Sequence, residues 1–452
     1  MAQARMNWSQ LLSARRFKIK HGEVLPTRAG ASEDGVAGLR SEFHIDHDRV
    51  VFSSAFRRLG RKTQVHPLAQ HDHTHNRLTH SVEVASVGRS LGNRVGAMLS
   101  GGGHLPAEGT PFDIGSIVQV ACLAHDLGNP PFGHTGEYAM RDWFREPAHL
   151  HLLDGLGEAE RHDIQTYEGN AHSLRLLSTL EMYTGEGGMR MTAATLGASV
   201  KYPWTAQTFP ARGKFNIYQA ELSYYRQVAA ELGLIERGAE HWARHPLSYL
   251  MEAADDICYA IVDLEDAVEI GILDLRELEE LLAPIVDPDK VWQIREPRQY
   301  AAALRGTMVG RCVKDLADVF MRHHDALMAG EFPLKDLIAG ASGDVRETLD
   351  QAKQLARDKV YRHRSKVVTE VAAYPCLGVL LDALVPNVRA FCLHGPDALS
   401  HRQQTQLALL ERPLAPGMSL YDGYLRVLDE VGGMTDNHAA RLAREISGIG
   451  LI

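Results

Sequence analysis

The sequence predicts a mainly α-helical fold. Long segments repeat apolar residues with the spacing of a helix, and stretches with the alternating pattern of a half-buried strand are scarce. Clusters of Gly, Pro and Asn, which commonly end helices, separate these segments. We therefore predict helices over residues 78–98, 117–127, 168–180, 247–270, 346–371 and 439–446.

The segments between the helices predict loops and one short hairpin. Glycines and prolines within 101–111 predict a loop after the first helix. The second helix should end at 127–131, Leu-Gly-Asn-Pro-Pro, because proline cannot continue a helix. The sequence TGEGG at 184–188 predicts a further loop, and a hairpin is expected from residues 192–200 and 214–218.

Composition excludes several classes of protein. With 452 residues, of which 45% are hydrophobic, the chain can bury a large core. We find no apolar leader at the start and no long apolar run, so we expect a protein that neither crosses nor spans a membrane. The formal net charge of -9 argues against a generally basic nucleic-acid-binding surface but allows a local basic pocket. The five cysteines form no CxxC pair, so we expect free thiols and a cytoplasmic location.

Histidines and one His-Asp pair point to a metal or acid–base site. Many of the 23 histidines fall between residues 44 and 172. Adjacent His125 and Asp126 stand at the end of the apolar helix predicted at 117–127, where both can turn towards one cation. Imidazole and carboxylate donors suit divalent metals. A structural role is the usual explanation for an isolated His-Asp pair, so this motif alone does not distinguish a metal site from a structural role.

Two further segments supply groups of the same kind. His80 lies just inside an amphipathic helix that Asn76 or Thr79 could cap, although a helix-start histidine can equally donate to a carbonyl. Downstream, Asp255, Tyr259 and Asp263 are spaced by four residues and share one face of one helix. Carboxylates on an apolar helix are costly to bury without partners, but a solvated face would explain them too.

Taken in order, the motifs resemble one family. RLTHS at 77–81, AHDLGNPPFGHTGE at 124–137 and AADDICYAIVDLEDA at 253–267 are similar to the HD-domain deoxyguanosine triphosphate triphosphohydrolases and their broader deoxynucleotide triphosphohydrolase relatives. Further similarity, from residue 40 to about 445, lies in RSEFHIDHDRVVFSSAFRRLGRKTQV, YEGNAHSLRLL, SVKYPW, KFNIYQAE, DKVYRH and GGMTDNHAARL.

This resemblance implies an organisation and an activity. It implies an HD-type helical core at 40–271, after an extension at 1–39 and before a helical region at 272–452 that packs on the core or forms subunit contacts. The implied reaction splits deoxynucleoside triphosphates, dGTP among them, into a deoxynucleoside and inorganic tripolyphosphate. Two alternatives stay open. One is another HD-type hydrolase acting on nucleoside monophosphates or cyclic nucleotides, and the other is a sensor of nucleotides or single-stranded DNA without turnover.

The resemblance also implies a metal site. Its ligands are His80, His125, Asp126 and Asp255, with Asp255 preferred to Asp256 because the family's Tyr and Asp follow the ligand by four and eight residues. Such a set suits one Mn²⁺ or Mg²⁺ ion, and Fe²⁺ is compatible with it.

Catalytic and substrate-binding residues follow from the same resemblance. His134 is the implied proton donor, and Glu137 is its carboxylate partner. The implied substrate contacts are Tyr259, Asp263 and Gln64 for the sugar, Arg77, Lys201 and Lys214 for the phosphates, and Asn170 close by. A surface role is the alternative for the lysines.

The resemblance leaves some features less defined. The extra histidines His71, His73 and His75 depart from the commoner family sequence, and we expect polar loop residues rather than a lining of the site mouth. A homo-oligomer, tetramer or hexamer, and a second dNTP as effector are implied by the family alone. Single-stranded DNA as a partner gains no support from the acidic charge.

Overall fold

The computed structural model describes residues 4–20, 22–27, 40–64, 75–107, 109–182, 187–286, 294 and 296–449. This part is mainly helical, which confirms the predicted fold class, and its strands form two short antiparallel hairpins. Up to residue 200 the elements are α1 (Trp8–Leu11), β1 (Arg16–Lys20), β2 (Glu23–Thr27), α2 (Glu42–Val51), α3 (Ser54–Leu59), α4 (Arg77–Gly101), α5 (Pro111–Ala124), α6 (His134–Arg145), α7 (Glu158–Gln165), α8 (Gly169–Arg175) and α9 (Ala193–Ser199). Beyond it they are α10 (Gln219–Leu232), β3 (Glu236–Gly238), β4 (His241–Trp242), α11 (Pro246–Glu269), α12 (Leu275–Leu282), α13 (Pro297–Arg322), α14 (His324–Met328), α15 (Gly343–Leu355), α16 (Arg364–His394), α17 (His401–Leu407), α18 (Leu420–Gly433) and α19 (Asp436–Ile446).

Helices α4 and α5 lie against each other along a row of glycines. A Cβ atom at Gly92 would lie 2.7 Å from Gly115 Cα, so any larger side chain there would push the two backbones apart. Helix α11 packs across both helices. The glycines therefore allow the close approach of α4 and α5, near whose ends His80 and His125 are found.

Two large hydrophobic cores, and a small cluster around Trp204, Phe215 and Tyr218, organise the described chain. The larger one joins α2 to α5 with α8 to α15, and Trp8, Leu11 and Phe17 add the N-terminal elements to it. The smaller core lies among α6, α7, α16, α18 and α19. The C-terminal helices thus pack on elements from the first half of the chain.

Helix α16 combines high hydropathy with burial. Its stretch Lys366–His394 is long and apolar enough to cross a membrane by length and composition, and 44% of its most apolar window is buried. Leu377, Leu381 and Leu384 lie in the smaller core. Burial inside the protein accounts for these residues without a membrane.

The prediction of a hairpin from residues 192–200 and 214–218 is wrong. Ala193–Ser199 form α9, and the Thr192 side chain caps its first turn by accepting a hydrogen bond from Thr195 N. Alanine and leucine favour a helix once such a cap is present. The loop predicted at 184–188 falls largely outside the described residues.

The single helix predicted at 346–371 is also wrong. Helix α15 ends at Leu355, a π-helical turn follows at Ala356–Val360, and α16 begins only at Arg364. The segment between the two helices contains neither Gly nor Pro, so no helix-ending residue marks the break. Tyr361, in this break, and Lys366, in the first turn of α16, line the cavity described next.

Candidate active site

A cavity of about 290 Å³ is bounded by elements of both cores. Most residues that the sequence analysis assigned to a site line it: Gln64, Arg77, His80, His125, Asp126, His134, Asn170, Lys201, Lys214, Asp255 and Tyr259. The other two, Glu137 and Asp263, are absent from its lining and are 1% and 2% exposed. The structure therefore collects in one place residues that are separated by almost two hundred positions in the sequence.

Three of these side chains form a cluster with metal-ligand geometry. His80 lies in the first turn of α4, His125 follows α5, and Asp255 lies in the middle of α11. Asp255 Oδ1 is 3.2 Å from His80 Nε2 and 3.4 Å from His125 Nε2. One ligand atom from each residue lies within 4.8 Å of the other two. A single ion can therefore contact all three.

The surroundings of the cluster fit a divalent cation. His125 Nδ1 lies 2.6 Å from the Cys122 carbonyl oxygen, which orients the ring and turns Nε2 towards the cluster. Burial lowers the pKa of His125, but Asp126 and Asp255 outweigh burial and raise it to about 9. The carboxylates thus favour positive charge at this point. Imidazole nitrogens with carboxylate oxygens suit Mn²⁺, Mg²⁺ or Fe²⁺.

The two other aspartates near the cluster differ in orientation. Asp126 Oδ1 lies 3.5 Å from His125 Nε2, while Asp126 Oδ2 accepts a 2.6 Å hydrogen bond from Arg77. Asp126 is therefore adjacent to the cluster and shared with a guanidinium. Asp256 points elsewhere, and its Oδ2 lies 3.3 Å from Lys353 Nζ.

His134 begins α6 and faces the cavity with a buried carboxylate behind it. Its Nδ1 lies 3.3 Å from Glu137 Oε2, and its side chain is 70% exposed. Glu137 Oε1 accepts a 2.8 Å hydrogen bond from Gly169 N, which holds the carboxylate in place. Burial raises the pKa of Glu137, but the bond from His134 and the charges of Lys214 and Arg141 outweigh it and lower the pKa to about 2. An ionised Glu137 can accept a hydrogen bond from His134 Nδ1 and orient the imidazole.

The predicted phosphate-binding cations line the cavity but already have acidic neighbours. Lys214 Nζ lies 2.9 Å from Glu168, whose pKa is raised by burial and by the neighbouring Glu137. Lys201 Nζ lies 3.0 Å from Glu252 Oε1. Asn170 donates to Glu168 through Nδ2 at 2.6 Å. Both lysines are thus held by neighbouring carboxylates, and neither is a loose surface group.

The predicted sugar contacts bring in residues from the C-terminal region. The rings of Tyr259 and Tyr361 stack with centroids 5.6 Å apart. The Tyr361 hydroxyl donates to Asp263 Oδ2, so this carboxylate is covered by Tyr361. Gln64 lines the cavity, and its Oε1 is buried with no hydrogen-bond partner among the described residues.

Tyr361 and Lys366 were not assigned to a site from the sequence. Lys366 Nζ lies 4.1 Å above the Tyr361 ring, and both residues line the cavity. Tyr361 lies in the segment DKVYRH at 358–363, which resembles the family sequence. This resemblance is the one feature of the sequence that could have indicated a site role for Tyr361.

Among the extra histidines before α4, the described one is His75, and it does not line the cavity. His75 Nδ1 pairs with Asp266, and its Nε2 lies 2.9 Å from Glu83 Oε1, which makes it a fixed partner of α4 and α11. His71 and His73 lie outside the described residues.

Comparison with known proteins gives one consistent family. The model of the HD domain matches residues 77–198, which include His80, His125 and His134. A deoxyguanosinetriphosphate triphosphohydrolase-like protein of Pseudomonas aeruginosa is 45% identical over 98% of this chain and 99% of its own length. A deoxyguanosinetriphosphate triphosphohydrolase-like protein of Synechocystis is 35% identical over 99% of this chain and 100% of its own length. A deoxyguanosinetriphosphate triphosphohydrolase of Yersinia pestis is 32% identical over 82% of this chain and 81% of its own. The chain therefore belongs to the HD-domain family of deoxyguanosinetriphosphate triphosphohydrolase-like proteins.

Proposed function

We propose that this protein is a metal-dependent hydrolase that splits deoxynucleoside triphosphates into a deoxynucleoside and inorganic tripolyphosphate. Family membership supports the coarser activity, a nucleotide triphosphohydrolase. One observation carries the proposal furthest. The His80, His125 and Asp255 cluster and the His134 imidazole line the same cavity, together with lysines suited to phosphates.

In this proposal the metal ligands are His80, His125, Asp126 and Asp255. A divalent ion held there, Mn²⁺ or Mg²⁺ first and Fe²⁺ as an alternative, would polarise a phosphoryl oxygen. Asp126 would then divide its two oxygens between the ion and Arg77, since its Oδ2 already accepts from that guanidinium.

The protein's own acid–base pair acts on the leaving group. Water supplies the oxygen that bonds to the α-phosphorus, and the bond from phosphorus to the 5′-oxygen of the sugar breaks. His134 donates its proton to that 5′-oxygen, because its imidazole faces the cavity and Glu137 Oε2, 3.3 Å from its Nδ1, orients the ring. The attacking water gives up one proton and one proton returns to His134, so in sum one water supplies the oxygen on phosphorus and the hydrogen on the 5′-oxygen.

Substrate recognition is assigned to the cations and rings of the cavity wall. Lys201, Lys214 and Arg77 would hold the phosphates, the last through its planar fork. Tyr259 would cover the sugar face and leave no space for a 2′-hydroxyl. The 3′-hydroxyl would meet Gln64, whose Oε1 is buried without a partner among the described residues, and the Tyr361–Asp263 pair. Asn170 lies close by.

The wider proposals rest on the resemblance. We propose a cytoplasmic homo-oligomer, tetrameric or hexameric, with a second dNTP as effector. The helical core at 40–271 would carry the metal, and the region at 272–452 would complete the cavity through residues such as Tyr361.

Product analysis tests the proposed function. Purified protein is incubated with Mn²⁺ and each of dGTP, dATP, dCTP, dTTP, GTP and dAMP, singly and in pairs. We expect tripolyphosphate from one or more dNTPs, little from GTP, and faster release in pairs if an effector site exists. Release of orthophosphate or pyrophosphate alone would instead favour another HD-type phosphohydrolase. Binding of nucleotide or single-stranded DNA without turnover would favour a sensor.

A further inference from the structure

The turn that joins Asp126 to His134 is held by residues from distant parts of the chain. It contains Asn129, Pro130, Pro131, Phe132 and Gly133. Phe132 has φ 63°, a left-handed conformation that is rare for a bulky residue. Such a conformation persists only where the surrounding structure imposes it. The contacts that impose it therefore matter for the two groups at its ends.

Lys62 holds the first part of this turn. Its side chain is 2% exposed, and its Nζ donates to the carbonyl oxygen of Asn129 and, at 2.9 Å, to that of Gly432. Burial lowers the pKa of Lys62 to about 7. A buried amine with two backbone acceptors joins the turn to the end of α18.

Asp436 holds the second part. It begins α19 and is 5% exposed. Its Oδ1 accepts a 3.0 Å hydrogen bond from Phe132 N, and its Oδ2 accepts a 2.9 Å hydrogen bond from Thr63 N. Thr63 lines the cavity beside Gln64, and Asp436 lines it too. One carboxylate therefore fixes the left-handed residue and the segment beside it.

These contacts connect three segments that the sequence keeps far apart, at 62–64, 129–133 and 432–436. The turn at 129–133 leads directly into His134. At its other end, the Asn129 side chain donates a hydrogen bond to Asp126. A shift of the turn would move the imidazole and the aspartate relative to each other.

We propose that Lys62 and Asp436 are positioning residues of the active site, which hold the 129–133 turn so that Asp126 and His134 face one cavity. The inference rests on the proposed function. It also gives the C-terminal helix pair α18 and α19 a role in catalysis, since Gly432 and Asp436 come from them. A purely structural role would change the yield of folded protein but leave turnover per folded molecule unaltered.

Asp436→Asn is the first test, because it keeps the size of the side chain but replaces one acceptor oxygen by an amide. Lys62→Met removes the other contact. The matched control is Asp422→Asn, the same change at an exposed acid in the first turn of α18, where Asp422 accepts from Ser419. All four proteins are compared by turnover of the best dNTP, by Mn²⁺ affinity and by hydrogen–deuterium exchange of peptides covering 127–135.

We expect kcat per folded molecule to fall about tenfold to a hundredfold in Asp436→Asn and Lys62→Met, as small misplacements of reacting groups typically cost. KM and Mn²⁺ affinity should change about threefold or less, and exchange at 127–135 should accelerate. The control should match the wild type in all three. Unchanged exchange, or unchanged kcat with faster exchange, would overturn the inference. Wild-type protein that releases no tripolyphosphate would refute the proposed function instead, and the exchange result would still decide whether these residues hold the turn.

Discussion

The Tyr361 hydroxyl donates a 2.5 Å hydrogen bond to Asp263 Oδ2, across 98 positions of sequence. This contact joins the short segment between α15 and α16 to α11 beside the cavity. Burial raises the pKa of Asp263 to about 6 although Tyr361 acts to lower it, so the carboxylate depends on this hydroxyl for its stabilisation.

Tyr361→Phe should destabilise the fold and weaken substrate binding. It leaves a buried carboxylate without its donor, which typically costs about 1–3 kcal/mol of unfolding free energy. Urea unfolding measures this loss, and KM for the best dNTP should rise because the Tyr361–Asp263 pair is assigned to the sugar. Tyr374→Phe, at an exposed tyrosine of α16, is the control and should change the free energy by about 0.5 kcal/mol or less. Equal effects of both changes would contradict a specific role for the Tyr361 hydroxyl.

Asp255→Ala and Asp256→Ala should differ in metal binding. Asp255 Oδ1 is within 3.4 Å of both imidazoles, whereas Asp256 pairs with Lys353. Loss of a direct ligand should weaken Mn²⁺ binding by more than the roughly 10–100-fold typical of groups behind the ligands. Titration calorimetry with Mn²⁺ measures the affinity directly. Similar loss in both variants would refute the assignment of Asp255 over Asp256.

His134→Gln should remove turnover while leaving the metal bound. General acid catalysis typically contributes about 10²–10⁴-fold, and kcat should fall by that amount. Mn²⁺ affinity should stay close to that of the wild type, because His134 is not a member of the cluster His80, His125 and Asp255 that could hold the ion. Glu137→Gln should lower kcat less, since it removes the partner of the acid and not the acid. A His134→Gln enzyme with wild-type kcat would exclude His134 as the proton donor.

Much of the fold could be predicted from local patterns, whereas the roles of the site residues were implied by the family resemblance. Helical periodicity indicated the fold class, and the four-residue spacing from Asp255 to Tyr259 depends on helix geometry alone. The prolines after Asn129 indicated that the helix before them must end, and the structure ends it at Ala124, just before His125. Each of these features is set by residues within a few positions of one another.

Other features depend on contacts between distant segments. The sharing of Asp126 with Arg77 and the cover that Tyr361 provides over Asp263 need the packed structure. The break between α15 and α16 has no Gly or Pro signal, and tertiary packing overrides helix propensity there. The same applies to Lys62, since nothing in its local sequence indicates that it is fully buried.

His75 makes the stability of the protein depend on pH at a site outside the cavity lining. Burial lowers its pKa, but the bonds to Asp266 and Glu83 outweigh burial and raise it to about 10, against an ordinary value of 6.5. Because the folded state holds the proton more tightly, this stabilisation is complete below pH 6.5 and is lost as the pH rises through 10. His75→Gln removes it, so the Tm difference between wild type and variant should be largest at pH 6 and shrink towards pH 10. His401→Gln, at an exposed histidine of α17, controls for a change of surface charge. Thermal unfolding of the three proteins between pH 6 and 10 measures the effect, and a wild-type advantage that stays constant or grows with pH would show that the charged His75 contributes no stability.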